Sequence, residues 1–275
     1  MDRVEHVKPS FPAEAFAGTA AYYVRFRVPY PKGLLTDLVG RSGAAGEGRL
    51  LDLACGPGRI ALALASAFRE IWAVDLEPEM IEAGRREAAR RGVRNITWMA
   101  GRAEDLEASP ASIELVTIGE AFHRLDQQLV AEQTLRWLKP RHCLATLGCY
   151  TVLRGSEPWQ QIVAGVVSRW TSRNIQKSGG PEPRNPSSGP DHNERVMRET
   201  GFVEVASHRF FEPHGWTIET ITGYLYSTSV CSRAILGGNA EAFEADLKAA
   251  LLAHGPSGTY RENTEWGYTI GRKPN

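Results

Sequence analysis

Two glycines in one short turn are the clearest chemical feature of this chain. Residues 50–59 read LLDLACGPGR, an apolar run that breaks at Gly56 and Gly58 before small apolar residues resume at helical spacing from Ile60. This pattern predicts a strand, a tight turn and a helix. Glycine permits positive φ and lacks the Cβ atom that would hold a ligand away from the main chain. The N–H groups at the start of the helix suit a carboxylate or a phosphate.

Asp52 distinguishes two interpretations of this turn. Gly56, Gly58 and Ala61 satisfy a loose dinucleotide-binding fingerprint, which leaves NAD open as a ligand. Asp52 lies four residues before Gly56, with Ala54 and Cys55 between the two. A carboxylate at that position is predicted to accept from the ammonium group of an amino-acid ligand, a group that NAD lacks.

The string 51–58, LDLACGPG, closely resembles the first motif of class I S-adenosylmethionine (SAM)-dependent methyltransferases. The resemblance is good over residues 20–150 and looser afterwards. It implies an α/β fold, a Rossmann-like doubly wound sheet of seven strands in the order 3-2-1-4-5-7-6. It also implies SAM as the cofactor and S-adenosylhomocysteine as the product, with no metal. The turn residues implied to bind the cofactor are Asp52, Ala54, Cys55, Gly56 and Gly58.

Acidic residues follow the next two predicted strands. Asp75 ends an apolar run, 17 residues beyond Gly58, where a carboxylate can accept from both hydroxyls of a ribose. Leu76 and Met80 are then placed to sandwich the adenine, and a helix is predicted from Pro78 to about residue 91. The segment after the third strand resembles the adenine-binding segment of the family. Its residues are Ala103, Glu104 and Asp105.

The segment after the fourth strand, GEAFHRLD over 119–126, resembles the fourth motif of a methyltransferase type 11/25-like subgroup. This small-molecule subgroup includes trans-aconitate methyltransferase-like enzymes and usually has Gln-Ala-Phe-His-Trp here. Glu120 replaces the glutamine and Arg124 replaces the tryptophan. The resemblance implies that Glu120 binds the cofactor and that Phe122 and Arg124 contact the substrate, without the usual aromatic floor.

His123 is the candidate catalytic residue, because a neutral imidazole can take a proton from a phenol, hydroxyl or amine as the methyl group arrives. A structural histidine that caps the following helix is the alternative. Methyl transfer from a sulfonium is an in-line displacement, so alignment can supply most of the rate without a base.

The segment 22–31, YYVRFRVPYP, resembles the lead-in that covers the SAM pocket in many small-molecule methyltransferases. It implies an N-terminal lid, with Tyr23 at the cofactor and Tyr30 at the substrate. The alternative is a helix that packs its aromatic residues on the domain.

The resemblance is looser after residue 150. Helices are predicted over 159–170 and 193–200, a loop over 178–192 that is a lid or a surface excursion, and strands over 202–211 and 260–272. Helical patterns over 216–229 and 239–254 predict a C-terminal helical cap between those strands. Helix packing is the alternative role for the cap residues that the resemblance places in the substrate pocket. These are Trp216, Tyr224, Tyr226 and Ser229.

These patterns divide the chain into four regions. We predict an N-terminal lid over 1–48, a SAM-binding core over 49–150, an insertion near the substrate site over 151–200, and final strands with an inserted cap (213–256) over 201–275.

Composition argues against several classes of partner. The chain of 275 residues has 32 basic and 32 acidic residues, which argues against nucleic acid as a partner and leaves a local basic patch as the alternative. The basic residues between 85 and 94 alternate with glutamates and indicate a solvated helix face. The four cysteines have no paired spacing, and no apolar run is long enough to cross a membrane. We therefore expect a cytoplasmic protein without a metal, whose oligomeric state the sequence leaves open.

The sequence thus predicts methyl transfer from SAM to an oxygen, nitrogen or carbon nucleophile of a small molecule, with a secondary-metabolite or aromatic acceptor as the hypothesis. Two alternatives stay open: an NAD-dependent oxidoreductase, and a SAM-binding protein of this fold without methyl transfer.

Overall fold

A single mixed sheet forms the centre of the molecule. The computed structural model describes residues 16–44, 46–178 and 190–275, without the side chains of 172–178. Within these residues the strands are β1 (Arg49–Leu53), β2 (Glu70–Asp75), β3 (Ile96–Ala100), β4 (Ile113–Gly119), β5 (Leu138–Tyr150), β6 (Val203–Thr217) and β7 (Thr259–Arg272). Their order is β3-β2-β1-β4-β5-β7-β6. The first five strands are parallel, and β7 is antiparallel to both β5 and β6. The predicted fold class is therefore confirmed.

Helices flank this sheet. They are α1 (Ala20–Phe26), α2 (Lys32–Ser42), α3 (Arg59–Ala63), α4 (Pro78–Arg91), α5 (Gln127–Trp137), α6 (Pro158–Ser178), α7 (Pro190–Thr200), α8 (Ile218–Tyr226), α9 (Arg233–Leu236) and α10 (Ala240–His254). Side chains along a strand alternate between the two faces of a sheet. Leu50 accordingly belongs to the core formed with α2, α3, α6, α8 and α10, and Leu51 to the core formed with α5 and α7.

The start and the end of α4 match the prediction. Pro78 occupies its first turn, where the missing N–H costs no helical hydrogen bond. Gly92 follows the last residue in the left-handed conformation, with φ of 70°. A left-handed glycine is the usual way to end a helix. This helix directs its N-terminus towards the carboxyl end of β2.

The fifth strand is longer than predicted. From the sequence we expect this strand over 144–149, whereas it begins at Leu138, which pairs with Ile113. The register then shifts, because Leu115 pairs with Cys143 and residues 139–142 bulge out. Within the bulge Arg141 has φ of 67°, a conformation that glycine would adopt at lower cost.

The predicted cap boundary at residue 213 is wrong. β6 extends to Thr217, because residues 213–217 continue the antiparallel pairing with residues 259–263 of β7. The helix that follows, α8, covers Ile218–Tyr226 rather than the predicted 216–229, and Thr217 caps it in a capping box with Thr220. We define the cap as α8, α9 and α10.

The described helices also shorten the predicted loop over 178–192. α6 extends to Ser178 and α7 begins at Pro190. Residues 179–189, on which the prediction of a lid or a surface excursion depends, lie outside the described residues, as do residues 1–15 of the predicted lid.

The lid helix α1 joins the core to the cap. Its Ala20 packs against Met80 and Ala83 of α4. On its other side, Phe26 lies so close to Gly223 of α8 that a Cβ atom on this glycine would come within 2.4 Å of the ring. α1 therefore packs against both α4 and α8. No helix in the described part of the chain is both long and apolar enough to span a membrane.

Candidate functional site

The turn after β1 is tied to the end of β2 by one carboxylate. The N–H of Gly56 donates to Oδ2 of Asp75 over 2.7 Å, and the N–H of Glu77 donates to Oδ1 over 2.9 Å. Ala54, Gly56 and Gly58 all have positive φ, between 49° and 75°. Burial raises the pKa of Asp75, although the two N–H donors oppose the rise. A single acidic side chain thus fixes both the glycine turn and the start of α4.

An open cleft lies above this turn, with an empty volume of about 990 Å³ including its mouth. The walls are the segments that follow β1, β2, β3 and β4, together with the lid. The predicted site residues that line it are Tyr23, Ala54, Gly56, Asp75, Leu76, Met80, Ala103, Glu104, Glu120 and Arg124.

One end of the cleft combines apolar and acidic groups. Leu76 is 44% exposed and Met80 is buried, so both present apolar surface to the cleft. Glu104 accepts from the N–H of Asp126 over 3.2 Å, which fixes its side chain on the wall. Asp105 does not line the cleft: its side chain is 74% exposed and pairs with Arg102.

Asp52 does not reach the cleft, contrary to the prediction. Strand alternation directs its side chain towards α3, where Oδ2 accepts from the N–H of Ala61 and Oδ1 from the hydroxyl of Thr117 over 2.8 Å. The residue is 1% exposed, and burial raises the pKa of its carboxyl to about 7. Cys55 is also buried in the turn and lies outside the cleft, where burial raises the pKa of its thiol.

Gly58 leaves room for a neighbouring side chain. A Cβ atom on Gly58 would lie 2.2 Å from Cη2 of Trp98, and one on Gly84 of α4 would lie 2.3 Å from Cζ3 of the same ring. The indole of Trp98 therefore fills the space between the glycine turn and α4. Because the ring contacts both segments, it holds two walls of the cleft at a fixed separation.

We expect Gly84→Ala to lower stability by about 1–3 kcal/mol and to weaken binding of S-adenosylhomocysteine, because the added methyl group displaces the Trp98 ring. In a Trp98→Leu background, Gly84→Ala should lower the free energy of unfolding by at least ~1 kcal/mol less than in the wild type, since leucine leaves room for the added methyl group. Thermal unfolding and calorimetric titration measure both effects. Gly33→Ala is the control, because a Cβ atom there meets nothing within 4 Å. Strictly additive losses would contradict the role of Trp98.

Glu120, at the end of β4, lies between two arginines. Its Oε1 is 3.3 Å from Nη1 of Arg27, and its Oε2 is 3.5 Å from Nη1 of Arg59. All three side chains are at most 16% exposed. Glu120 has φ of 56°, a strained value for a residue with a side chain, which the surrounding contacts must sustain.

These arginines also connect the lid and the cap to the cleft. Arg27 donates from Nε to the hydroxyl of Ser227 over 2.8 Å, and its Nη2 donates to the carbonyl of the same residue. Arg59 donates to the carbonyl of Val28, just after the lid helix. Sequence reasoning missed both arginines, although Arg27 belongs to the lead-in segment and Arg59 directly follows the glycine turn.

The predicted catalytic residue His123 lies outside the lining of the cleft. It is half-buried in a 3₁₀ turn over Phe122–Arg124, and burial together with Arg124 and Arg154 lowers its pKa to about 4. Phe122, predicted to contact the substrate, is instead buried in the core formed with α5 and α7. The Phe122 side chain therefore points away from the cleft.

The remaining substrate candidates mostly hold the cap together. Trp216 is 2% exposed and donates to Glu262, so it is a core residue rather than part of the cleft. The hydroxyl of Tyr226 donates to Glu244 of α10, and its ring packs on Tyr22. Neither residue lines the cleft.

The other three contact arginines. The hydroxyl of Ser229 accepts from Nη2 of Arg124 over 3.0 Å. The ring of Tyr224 lies 4.9 Å from the guanidinium carbon of Arg27, and that of Tyr30 lies 4.8 Å from the guanidinium carbon of Arg59. Among these candidates only Arg124 lines the cleft, next to the ring of Phe16.

Several lining residues were not predicted. Most of them directly follow a strand, so the topology of a parallel sheet would have pointed to them. Phe16 precedes the segment 22–31 of the lid and belongs to no motif. The additional lining residues are Phe16, Glu77, Gly101, Arg102, Gly119, Ala121 and Leu125.

Comparison with known proteins identifies the class of the central region. Residues 50–141 match the family model described as "Methyltransferase domain". This match over the central region of the chain agrees with the resemblance to class I SAM-dependent methyltransferases.

The particular relatives are distant. An uncharacterised methyltransferase of Bacillus subtilis, YcgJ, is 33% identical over 94 residues, which are 34% of this chain and 37% of YcgJ. The chain thus spans little more than a third of the length of this relative. The crystal structure of YcgJ superposes with a TM-score of 0.58 at 17% identity, over 89% of this chain and all of that one.

A second solved structure has the same fold. It is a phosphoethanolamine N-methyltransferase 2 of Haemonchus contortus, in complex with phosphomonomethylethanolamine and S-adenosylhomocysteine. It superposes with a TM-score of 0.53 at 18% identity, over 94% of this chain and 57% of that one. The narrower resemblance to trans-aconitate methyltransferase-like enzymes stays a prediction.

Proposed function

We propose that this protein transfers the methyl group of SAM to an oxygen, nitrogen or carbon nucleophile of a small molecule. One observation carries the proposal. The four segments that follow β1 to β4 meet at one cleft and present a glycine turn, Asp75, Glu104 and Glu120 to it, beneath the lid residue Tyr23.

The groups on the cleft fit a nucleoside joined to an amino acid. Both oxygens of Asp75 already accept from N–H groups, but each carboxylate oxygen has a second lone pair that can accept from a ribose hydroxyl. Leu76 and Met80 offer apolar surface to an adenine ring, next to Glu104 as an acceptor for its amino group. Gly56 and Tyr23 both line the cleft beside the turn, where the amino-acid tail would lie.

When bound, SAM would supply a methyl group on a positively charged sulfur. The nucleophile would form the new bond to the methyl carbon, and the electron pair of the broken carbon–sulfur bond would stay on sulfur. The contribution of this chain is alignment and exclusion of water. Tyr23 and Phe16 cover the cleft from the lid, while Arg27 and Arg124 bind Ser227 and Ser229 and so hold the cap above it. Holding two reactants in line can supply most of the rate enhancement.

A small acceptor is supported by this enclosure. α1 contacts both α4 and α8, so a ligand beside the turn lies between lid, sheet and cap. The H. contortus enzyme of the same fold is solved with a small phosphorylated amine, and that likeness is an analogy of fold.

We expect Asp75→Ala to weaken S-adenosylhomocysteine binding by 1–3 kcal/mol, about 5- to 150-fold in dissociation constant, because a charged acceptor for the ribose is lost. The affinity of Asp75→Asn should lie between those of the wild type and Asp75→Ala, since the amide retains one acceptor oxygen. Asp105→Ala is the matched control and should bind like the wild type, because its side chain points to solvent. Calorimetric titration measures all three, and unchanged affinity in Asp75→Ala would refute the ribose assignment.

We expect His123→Ala to keep cofactor affinity and to lose less than ~10-fold in kcat at pH 7.5. The imidazole lies outside the cleft lining, and its lowered pKa of about 4 makes it a weak proton acceptor. The assay measures S-adenosylhomocysteine release from SAM with an acceptor panel. A loss of 10²-fold or more, the size typical of a general base, would instead support the catalytic role predicted from sequence.

A further inference from the structure

Tyr23 is the residue through which the lid helix α1 reaches the glycine turn. A Cβ atom on Gly56 would lie 3.7 Å from the Tyr23 ring, and both residues line the cleft. The guanidinium carbon of Arg27, one helical turn further along, lies 4.6 Å from the centroid of the same ring. The N–H of Arg27 also donates to the carbonyl of Tyr23. A contact that fixes Arg27 therefore also fixes Tyr23 over the turn.

Arg27 is itself held by the sheet. Its Nη1 lies 3.3 Å from Oε1 of Glu120 at the end of β4, and the two side chains are only 9% and 16% exposed. Loss of one partner from a buried ion pair leaves an uncompensated charge, which costs far more than the loss of a surface pair. The other oxygen of Glu120 pairs with Arg59, which donates to the carbonyl of Val28, next to Arg27. One carboxylate thus joins the lid, the sheet and the segment after the turn.

The main chain at Glu120 gives this carboxylate a rigid base. Its φ of 56° is a conformation that glycine would adopt at lower cost, but glycine could form neither ion pair. The N–H of Glu120 donates to the carbonyl of Leu147 in β5 over 2.8 Å, so the strained residue is fixed to the sheet. Strain of this kind persists where surrounding contacts hold it, and it is frequent at ligand clamps and switches.

A second ion pair joins the same lid helix to the cap, but it lies on the surface. Nη2 of Arg25 is 2.8 Å from Oε1 of Glu219 in α8, and the two side chains are 69% and 68% exposed. An exposed pair contributes little to stability, because water and salt screen it. One helix therefore carries a buried and an exposed ion pair, of which the buried pair should hold the lid.

We propose that Glu120 is a positioning residue that latches the lid: acting through Arg27, it holds Tyr23 over the glycine turn, and the cofactor leaves only when this ion pair opens. The inference rests on the proposed function. It gives Glu120 a role different from the direct contact with the cofactor that the sequence resemblance implies. The two roles predict different kinetics, because only the latch acts through Arg27.

The test follows the release of isotope-labelled S-adenosylhomocysteine from the full chain after a chase with excess unlabelled compound. We expect Glu120→Gln and Arg27→Gln each to raise the dissociation rate constant about tenfold or more, because each removes an ion pair from a buried position. The double variant should be no more than about threefold faster than the faster single variant, since both substitutions open the same contact. Glu219→Gln, the matched control on the exposed pair, should stay within about twofold of the wild type.

Hydrogen exchange locates the part of the protein that opens. In Glu120→Gln, with or without S-adenosylhomocysteine, the amides of residues 23–27 should exchange roughly tenfold faster than in the wild type, while the amides of α5 keep their protection. A merely structural role would accelerate exchange in α1 and α5 alike.

Three results would overturn the proposal. The first is an unchanged dissociation rate in Glu120→Gln. The second is a double variant in which the two rate increases multiply, as they would if Glu120 contacted the cofactor independently of Arg27. The third is equal acceleration of exchange in α1 and α5. A wild-type protein that binds no S-adenosylhomocysteine refutes the proposed function itself, and hydrogen exchange without ligand still tests the latch.

Discussion

The carboxylate of Asp75 is the constraint on which the cleft depends. It accepts from the main chain of Gly56 on one side and of Glu77 on the other, so the turn after β1 and the entrance to α4 share one anchor. Parallel strands bring their carboxyl ends to one edge, but they do not fix how the loops beyond that edge lie. A buried acid that accepts two N–H groups provides this order and still has lone pairs directed at a ligand.

Trp98 supplies the second constraint, from within the core. Its ring needs both Gly58 and Gly84 to lack side chains, so three residues from three segments specify one separation between turn and helix. Above the cleft, arginines fix the position of the cap, because Arg27 and Arg124 donate hydrogen bonds to Ser227 and Ser229. The site is thus packed by apolar contact below and held by charged hydrogen bonds above.

Sequence reasoning was most successful where function follows the topology of the sheet. Asp75, Glu104 and Glu120 each follow a parallel strand, so their convergence could be predicted once the strands were recognised. It did not anticipate that the Asp52 side chain points away from the cleft or that an indole lies beside Gly58. Motif spacing does not tell which way a side chain points or which neighbour fills the space beside a glycine. Strand alternation would have directed Asp52 towards α3, but the indole beside Gly58 comes from a residue 40 positions later.

The cap was the least predictable part for the same physical reason. Trp216 and Tyr226 are of types common in binding pockets. They are instead buried by contacts with β7 and α10, which cannot be predicted from the local sequence. Arg27 contacts Glu120 and Ser227, which lie 93 and 200 residues away in the sequence. Long-range pairings of this kind decide which aromatic and charged residues face the ligand.

The central claim, that the cleft is built for SAM, is tested most directly by calorimetric titration of the wild-type protein with S-adenosylhomocysteine and, separately, with NADH. The arrangement of Asp75, Leu76, Met80 and Glu104 around the glycine turn predicts saturable binding of S-adenosylhomocysteine at one site and no binding of NADH. Binding of NADH alone would contradict the account, because the turn would then serve a dinucleotide and the acid after β3 would have no adenine to recognise.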